Sequence, residues 1–264
     1  MRFHGKFLIT ACALLALTAF MADASAVTIS LIDGGITAGN GDFNYEGGGS
    51  VSGVGTAVPN ENIPRDRYLI GSPNTGGTLD IEGWTMRRLA YSGGNNAFGL
   101  DGNFGFDAAS FEPANTGSGQ AFTNGNGNTI VDLIADTINF SGVAGDIINL
   151  NYLLGSDSGS GTGSANSTVT LTLDAGLGSE QTITYATQTR TGTARDGSTD
   201  VSEVYVSTGA YSTIDLTLQM NPGSNSTRSL IDDVRLTVET IPEPTTLALI
   251  GLALASGGMV RRRS

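Results

Sequence analysis

Through the second half of this chain, apolar and polar residues alternate one for one. Val169, Leu171 and Leu173 interleave with Thr168, Thr170 and Thr172, and Ile214, Leu216 and Leu218 alternate with Asp215, Thr217 and Gln219. Val234, Leu236 and Val238 repeat the pattern near the end. A period of two places all the apolar side chains on one face of an extended strand, so each segment must lay that face on a core and leave the other wet. Antiparallel sheets packed back to back satisfy this demand. Further β-branched or aromatic runs at 27–32, 68–70, 84–91, 129–140, 147–154, 181–189 and 201–207, set between Gly, Asn, Ser and Asp, bring the total to about ten strands. The window 130–138 has partly helical spacing, but its β-branched residues favour a strand. Low-complexity stretches at 155–167, 47–55 and 123–128 read as loops. No internal repeat or long linker divides the chain, so the expectation is one antiparallel β-sandwich over residues 27–240.

Chemistry is limited by what the middle of the chain lacks. The single His4, Lys6 and Cys12 all lie in the first twelve residues. There, Arg2 and Lys6 precede an apolar run at 7–20, followed by Ala24, Ser25 and Ala26, the small residues that a signal peptidase requires. The run is 14 residues, short of the roughly 20 that span a bilayer. Residues 1–26 therefore read as a signal peptide handled by the Sec translocon and cut between Ala26 and Val27. The mature chain then has no thiol, and burial must hold it together without disulfides. It also has no means of building a Ser-His-Asp or Cys-His apparatus, a Schiff base or a His-ligated metal site. Carboxylate pairs remain, so a secreted carboxylate-dependent glycoside hydrolase is the alternative function. The acids are scattered singly, however, and Asp232 and Asp233, as neighbours on a strand, point to opposite faces. The expectation is a protein that is not an enzyme. The net charge is −12, and five of the 13 basic residues sit in the two ends, leaving the middle more acidic still. Such a surface repels nucleic acid.

The last residues are the most specific. Pro242, Glu243 and Pro244 break the preceding strand; an apolar run at 247–260 follows, then Arg261, Arg262 and Arg263. With Thr245 and Thr246 included the run is 16 residues, about 24 Å as a helix at ~1.5 Å per residue, and the arginines would stay on the cytoplasmic side. This arrangement resembles the PEP-CTERM sorting signal of exopolysaccharide-producing Gram-negative bacteria. The resemblance covers residues 241–264. It implies a short transmembrane helix that tethers the chain in the inner membrane, and an exosortase, a membrane transpeptidase, that cuts near Pro-Glu-Pro to release or transfer the protein to the cell surface.

Within the body, the closing segment Leu230-Ile231-Asp232-Asp233-Val234-Arg235-Leu236 resembles the final strand of galactose-binding-like jelly-roll modules, many of which bind carbohydrate. Asn40-Gly41-Asp42-Phe43-Asn44 with Gly83-Trp84 is similar to their opening strand and first hairpin, and Ala144-Gly145-Asp146 to their mid-domain turn. The resemblance implies a jelly-roll β-sandwich. It also implies a structural Ca²⁺ shared by Asp232, taken as inward because it has the parity of Val234, and Asp42. For glycan contact the one tryptophan, Trp84, with Tyr91, Tyr45 and Phe98 as neighbours, is the candidate aromatic platform. Arg87 and Arg88 form an adjacent basic pair that could meet an acidic polysaccharide. The expected role is structural or adhesive within an extracellular polysaccharide layer.

Overall fold

A computed structural model describes residues 26–33, 43, 51–52, 56–59, 67–70, 77–81, 83–90, 97–101, 120–124, 129–158, 163–192, 198–223 and 227–240. Expectations for the signal peptide, Asp42, Tyr45, Tyr91 and the segment 241–264 lie outside these residues. In chain order the strands are β1 (Val27–Ile32), β2 (Val51–Ser52), β3 (Thr56–Pro59), β4 (Arg67–Ile70), β5 (Thr78–Ile81), β6 (Trp84–Ala90), β7 (Ala97–Asp101), β8 (Gln120–Asn124) and β9 (Ile130–Ala135). They continue with β10 (Ile138–Gly142), β11 (Ile147–Ser158), β12 (Gly163–Leu173), β13 (Gln181–Thr184), β14 (Gln188–Gly192), β15 (Ser198–Val206), β16 (Tyr211–Pro222) and β17 (Thr227–Thr240). Among the described residues no helix is long and apolar enough to cross a membrane.

By its internal contacts the chain divides into a large unit, Ile29–Val238, and a small one made of the two ends, Met1–Thr28 and Glu239–Ser264. The large unit holds two sheets. The first runs β15-β11-β17-β8-β7-β4-β3, with β1 also pairing β17; the second runs β13-β12-β16-β9-β6-β5-β2, with β10 on β16 and β14 on β12. From β14 onward every strand changes sheet, and the chain wraps back and forth across the core. This is the expected all-β sandwich, with antiparallel pairing along both sheets.

The alternation of the sequence appears directly as burial. Along β12, buried and half-buried residues alternate through all 11 positions. Leu171, Leu216, Leu133, Trp84 and Met86 from the second sheet meet Ile148, Tyr152, Ile231, Val234 and Leu236 from the first in one core. The loop expected at 155–167 is largely strand, because β11 continues to Ser158 and β12 begins at Gly163. Small inward residues make this possible: Gly163, Ala165 and Ser167 leave room opposite β11, and Ser167 Oγ lies 2.7 Å from the hydroxyl of Tyr152 across the core. Burial pushes the Tyr152 phenol up to about 12, against the opposing pull of that hydrogen bond. Residues 123 and 124, also expected in a loop, belong to β8. The run at 129–140 splits into β9 and β10 at Asp136 and Thr137, where the Asp136 amide donates to the Gly83 carbonyl (2.9 Å) and Thr137 Oγ1 to Asp215 (2.7 Å). Residues 181–189 likewise split into β13 and β14, which pair β12 in succession.

Two local features shape the ends of these strands. At residues 143–146 the chain turns between sheets, with Gly145 at a φ of 95° that a side chain would strain. The Asp146 carboxylate is fully buried: one oxygen accepts the Val143 amide (2.8 Å) and the Tyr211 hydroxyl (3.3 Å), and the other has no hydrogen-bond partner among the described residues. Tyr211 in turn lies over Gly142, where any Cβ would overlap its ring. The second feature is a bulge in β17. Thr227, Ser229 and Ile231 are buried before it, Val234, Leu236 and Val238 after it, and Asp233 sits between with a φ of 49°. Asp232 therefore does not share an inward face with Val234. It adjoins the core residue Ile231 in the regular part of the strand and takes the opposite face, although it is only 4% exposed.

Candidate ligand face and sorting segment

The polar half of the alternating pattern collects on the outer face of the second sheet. Strand register arranges it in rows. In one, Thr168 of β12 lies beside Gln219 of β16, then Asp132 of β9, Arg87 of β6 and Thr78 of β5. The next row holds Thr184, Thr170, Thr217, Ile134, Thr85 and Asp80. A third begins Thr182, Thr172 and Asp215. Neighbouring positions are roughly 4.8 Å apart across strands and roughly 7 Å apart along them.

Hydroxyl pairs run along the rows and tie neighbouring strands together. Thr168 bonds Thr187 (2.9 Å), Thr170 bonds Thr184 (3.2 Å), Thr182 donates to Thr172 (3.2 Å) and Thr189 donates to the Asn166 side chain (2.8 Å). Each hydroxyl has one donor and two acceptor positions, so a pair that shares one bond still offers another donor and several lone pairs outward. In the middle, the Asp132 carboxylate is held by Arg87 Nη2 (2.8 Å) and Gln219 Nε2 (3.2 Å), which cancels its charge locally. Around the Asp132–Arg87 pair this face presents hydrogen-bond donors and acceptors with the charge cancelled, while Asp80 and Asp215 add carboxylates in the next two rows.

The residues singled out for glycan contact are placed elsewhere. Trp84 has no exposed surface and packs on Phe43, with ring centroids 5.4 Å apart. It opens β6 on the core side, opposite Ala135 of β9, so it presents no platform to a sugar. Phe98 is also fully buried, with the Arg88 guanidinium 4.7 Å above its ring. Arg88 is thus core-facing, and Arg87 is engaged by Asp132, so the pair is not an open basic patch for an acidic polymer. Tyr91 lies outside the described residues.

The calcium reading loses its geometric premise at Asp232. Its Oδ1 accepts the Asp233 amide (2.8 Å), and the guanidinium of Arg235 pairs with Asp233. Asp42 lies outside the described residues, among which no three acidic, histidine or cysteine side chains gather. Another carboxylate is more tightly held. Asp174, just after β12, accepts the Ser212 amide (2.7 Å), the Ser212 hydroxyl (2.8 Å), the Thr213 amide (3.1 Å) and the Ser179 hydroxyl (2.8 Å). These donors, the Ser212 amide first, hold its carboxyl down to about 2.

β17 ends at Thr240, and Thr240 Oγ1 donates to the Val27 carbonyl at 3.3 Å. Residues 240–263 match the PEP-CTERM protein-sorting motif. The PEP-CTERM match makes an exosortase the processing partner of this chain and export its route. It includes Pro242, Glu243, Pro244, Arg261, Arg262 and Arg263. A search of curated proteins finds no match.

Among solved structures, TmCBM61 in complex with β-1,4-galactotriose is 12% identical, covering 58% of this chain and 86% of that one, with a TM-score of 0.34. The CBM22-1 xylan-binding domain of Paenibacillus barcinonensis Xyn10C is 14% identical, covering 60% and 87%, at 0.36. A cyclase from Fischerella sp. TAU in complex with 4-(1H-indol-3-yl)butan-2-one is 17% identical, covering 71% and 100%, at 0.38.

The sequence marked Thr168, Thr170 and Thr172 as a wet face but gave no sign that Asp132, Arg87, Gln219 and the threonines of five other strands would join it. Only register brings those together.

Proposed function

We propose that this chain is a non-catalytic cargo of the exosortase route, resident at the cell surface or in the extracellular matrix, where it serves a structural or adhesive role and holds neutral polysaccharide on the outer face of its second sheet. The observation that carries the reading is the PEP-CTERM motif, which ties the sandwich to export and processing. The threonine and glutamine rows supply the chemistry for weak glycan contact: multiple hydrogen bonds to sugar hydroxyls at strand spacing, with a local charge cancelled at Asp132 and Arg87. The manner in which the carboxylates are used supports binding without turnover. Asp132 is engaged by a guanidinium, and Asp174 is saturated by hydrogen-bond donors that hold its carboxyl low, so Asp174 is not poised to deliver a proton to a substrate.

A glycan array run beside a hydrolysis assay on the same polysaccharides tests this. Retention of neutral polymers without product is expected, with retention lost in Thr170→Glu and Thr217→Glu variants whose melting temperature is unchanged. Turnover that disappears on replacing one carboxylate would establish the glycoside hydrolase instead.

A further inference from the structure

The first residue of β1 and the last residue of β17 are hydrogen-bonded neighbours, through Thr240 Oγ1 and the Val27 carbonyl at 3.3 Å. Val27 is the residue expected to follow the signal-peptidase cut, and residue 240 is where the PEP-CTERM match begins. The expected first residue of the mature chain and the first residue of the sorting match are therefore neighbours in one pair of strands. β1 is an unusual strand in its own right. Val27, Thr28, Ile29 and Ser30 are all exposed, whereas Leu31 packs against the core and Ile32 is buried in it, so the first four residues gain little from burial and the strand's tie there is its pairing with β17. β17 has β11 as one sheet neighbour; its other neighbour, β8, covers only Arg228–Ile231, which leaves the stretch after the Asp232-Asp233 bulge without β8.

We propose that β1 is a clasp on the root of the sorting segment: by pairing with β17 as far as Thr240, it keeps the body side of the junction in a sheet and confines cleavage to the residues beyond. The physical basis is that a protease or transpeptidase binds its substrate as a single extended chain, and backbone already paired in a ladder must first be peeled away. β17 is described as far as Thr240, two residues before Pro242-Glu243-Pro244 in the sequence. Thr240 thereby acts as a positioning residue for a cut that it does not itself perform. The placement of that cut by an exosortase rests on the function proposed above, whereas the clasp itself does not.

Two measurements separate these. The full chain, solubilised in detergent, is digested with a protease of broad specificity and its fragments are weighed intact. The expected end point is a body terminating at or after Thr240, whereas a variant lacking residues 27–30 is trimmed back into residues 233–240. Should that deletion fail to fold, Thr240→Val serves, with trimming past residue 240 at least several-fold faster and an unchanged thermal midpoint. An identical end point and rate in native and variant chains would overturn the clasp. In producing cells, the native protein should carry one C-terminus beyond residue 240 and the deletion variant a ragged set before it. If the native tail is never cut in cells, the exosortase reading falls while the digestion still decides the clasp.

Discussion

The hydroxyl pair Tyr152–Ser167 offers the sharpest test of how the sandwich is closed. Its two oxygens are 2.7 Å apart, both side chains are buried, and they come from opposite sheets. Ser167→Ala removes the partner but leaves the phenol in the core, so the cost is that of an unsatisfied buried hydroxyl, about 1–3 kcal/mol. For a domain of this size each kcal/mol moves the thermal midpoint by roughly 2–4 °C, so a fall of about 2–12 °C is expected. Tyr152→Phe strands the smaller serine hydroxyl and costs about 1 kcal/mol. The double variant leaves no polar group behind, so it should be clearly more stable than the sum of the two, with a coupling of about 1–2 kcal/mol by denaturant unfolding. The same contact has a spectroscopic signature. Burial raises the Tyr152 pKa to about 12 and the serine hydrogen bond opposes that rise, so in Ser167→Ala the phenol should ionise at still higher pH in an ultraviolet titration. Additive costs with an unchanged titration would mean that the Gly/Ser stretch is not packed against β11, and the account of this crossing would be wrong.

Other perturbations probe different parts. Gly142→Ala drives a methyl group into the Tyr211 ring and should destabilise by about 1–3 kcal/mol, while Gly142→Ala on a Tyr211→Ala background should cost markedly less; equal costs on both backgrounds would refute the contact. Arg87→Met leaves the buried Asp132 carboxylate with Gln219 as its remaining described partner and should cost about 1–2 kcal/mol, largely recovered by adding Asp132→Asn. No recovery would show that the charge was not the issue. The Asp174 carboxyl is lowered from 3.8 to about 2, so its contribution is full above pH 3.8 and is lost as pH falls towards 2. The stability gap between native and Asp174→Asn chains should therefore be constant at neutral pH and shrink in that acid window; a gap that persists to pH 2 contradicts the assignment. At the alkaline end, burial raises Tyr152 and Tyr185 from 10.0 to about 12, and Tyr211 upward as well, so their contributions hold below pH 10 and fade as pH climbs towards 12. Alkaline unfolding in that range, followed by circular dichroism, checks it.

The amino-acid sequence by itself determined the class of fold, because a strict two-residue period admits one buried face per strand and no helix can use it. It also determined the address at the C-terminal end, because a sorting signal is read as a linear order of proline, apolar and arginine residues and needs no tertiary context. The fate of single residues was decided by tertiary structure. Trp84 was legible as a large aromatic but not as a core one, since its burial depends on Phe43 and on the strand opposite. The Gly/Ser run resembled a loop until Tyr152 across the core showed why small inward residues were required. Asp232 had the right parity in the sequence, and a single left-handed residue at Asp233 reversed it. Local pattern fixes what each strand must do with its two faces. Register, bulges and the opposing sheet fix which side chains meet, because those depend on contacts between residues far apart in the chain.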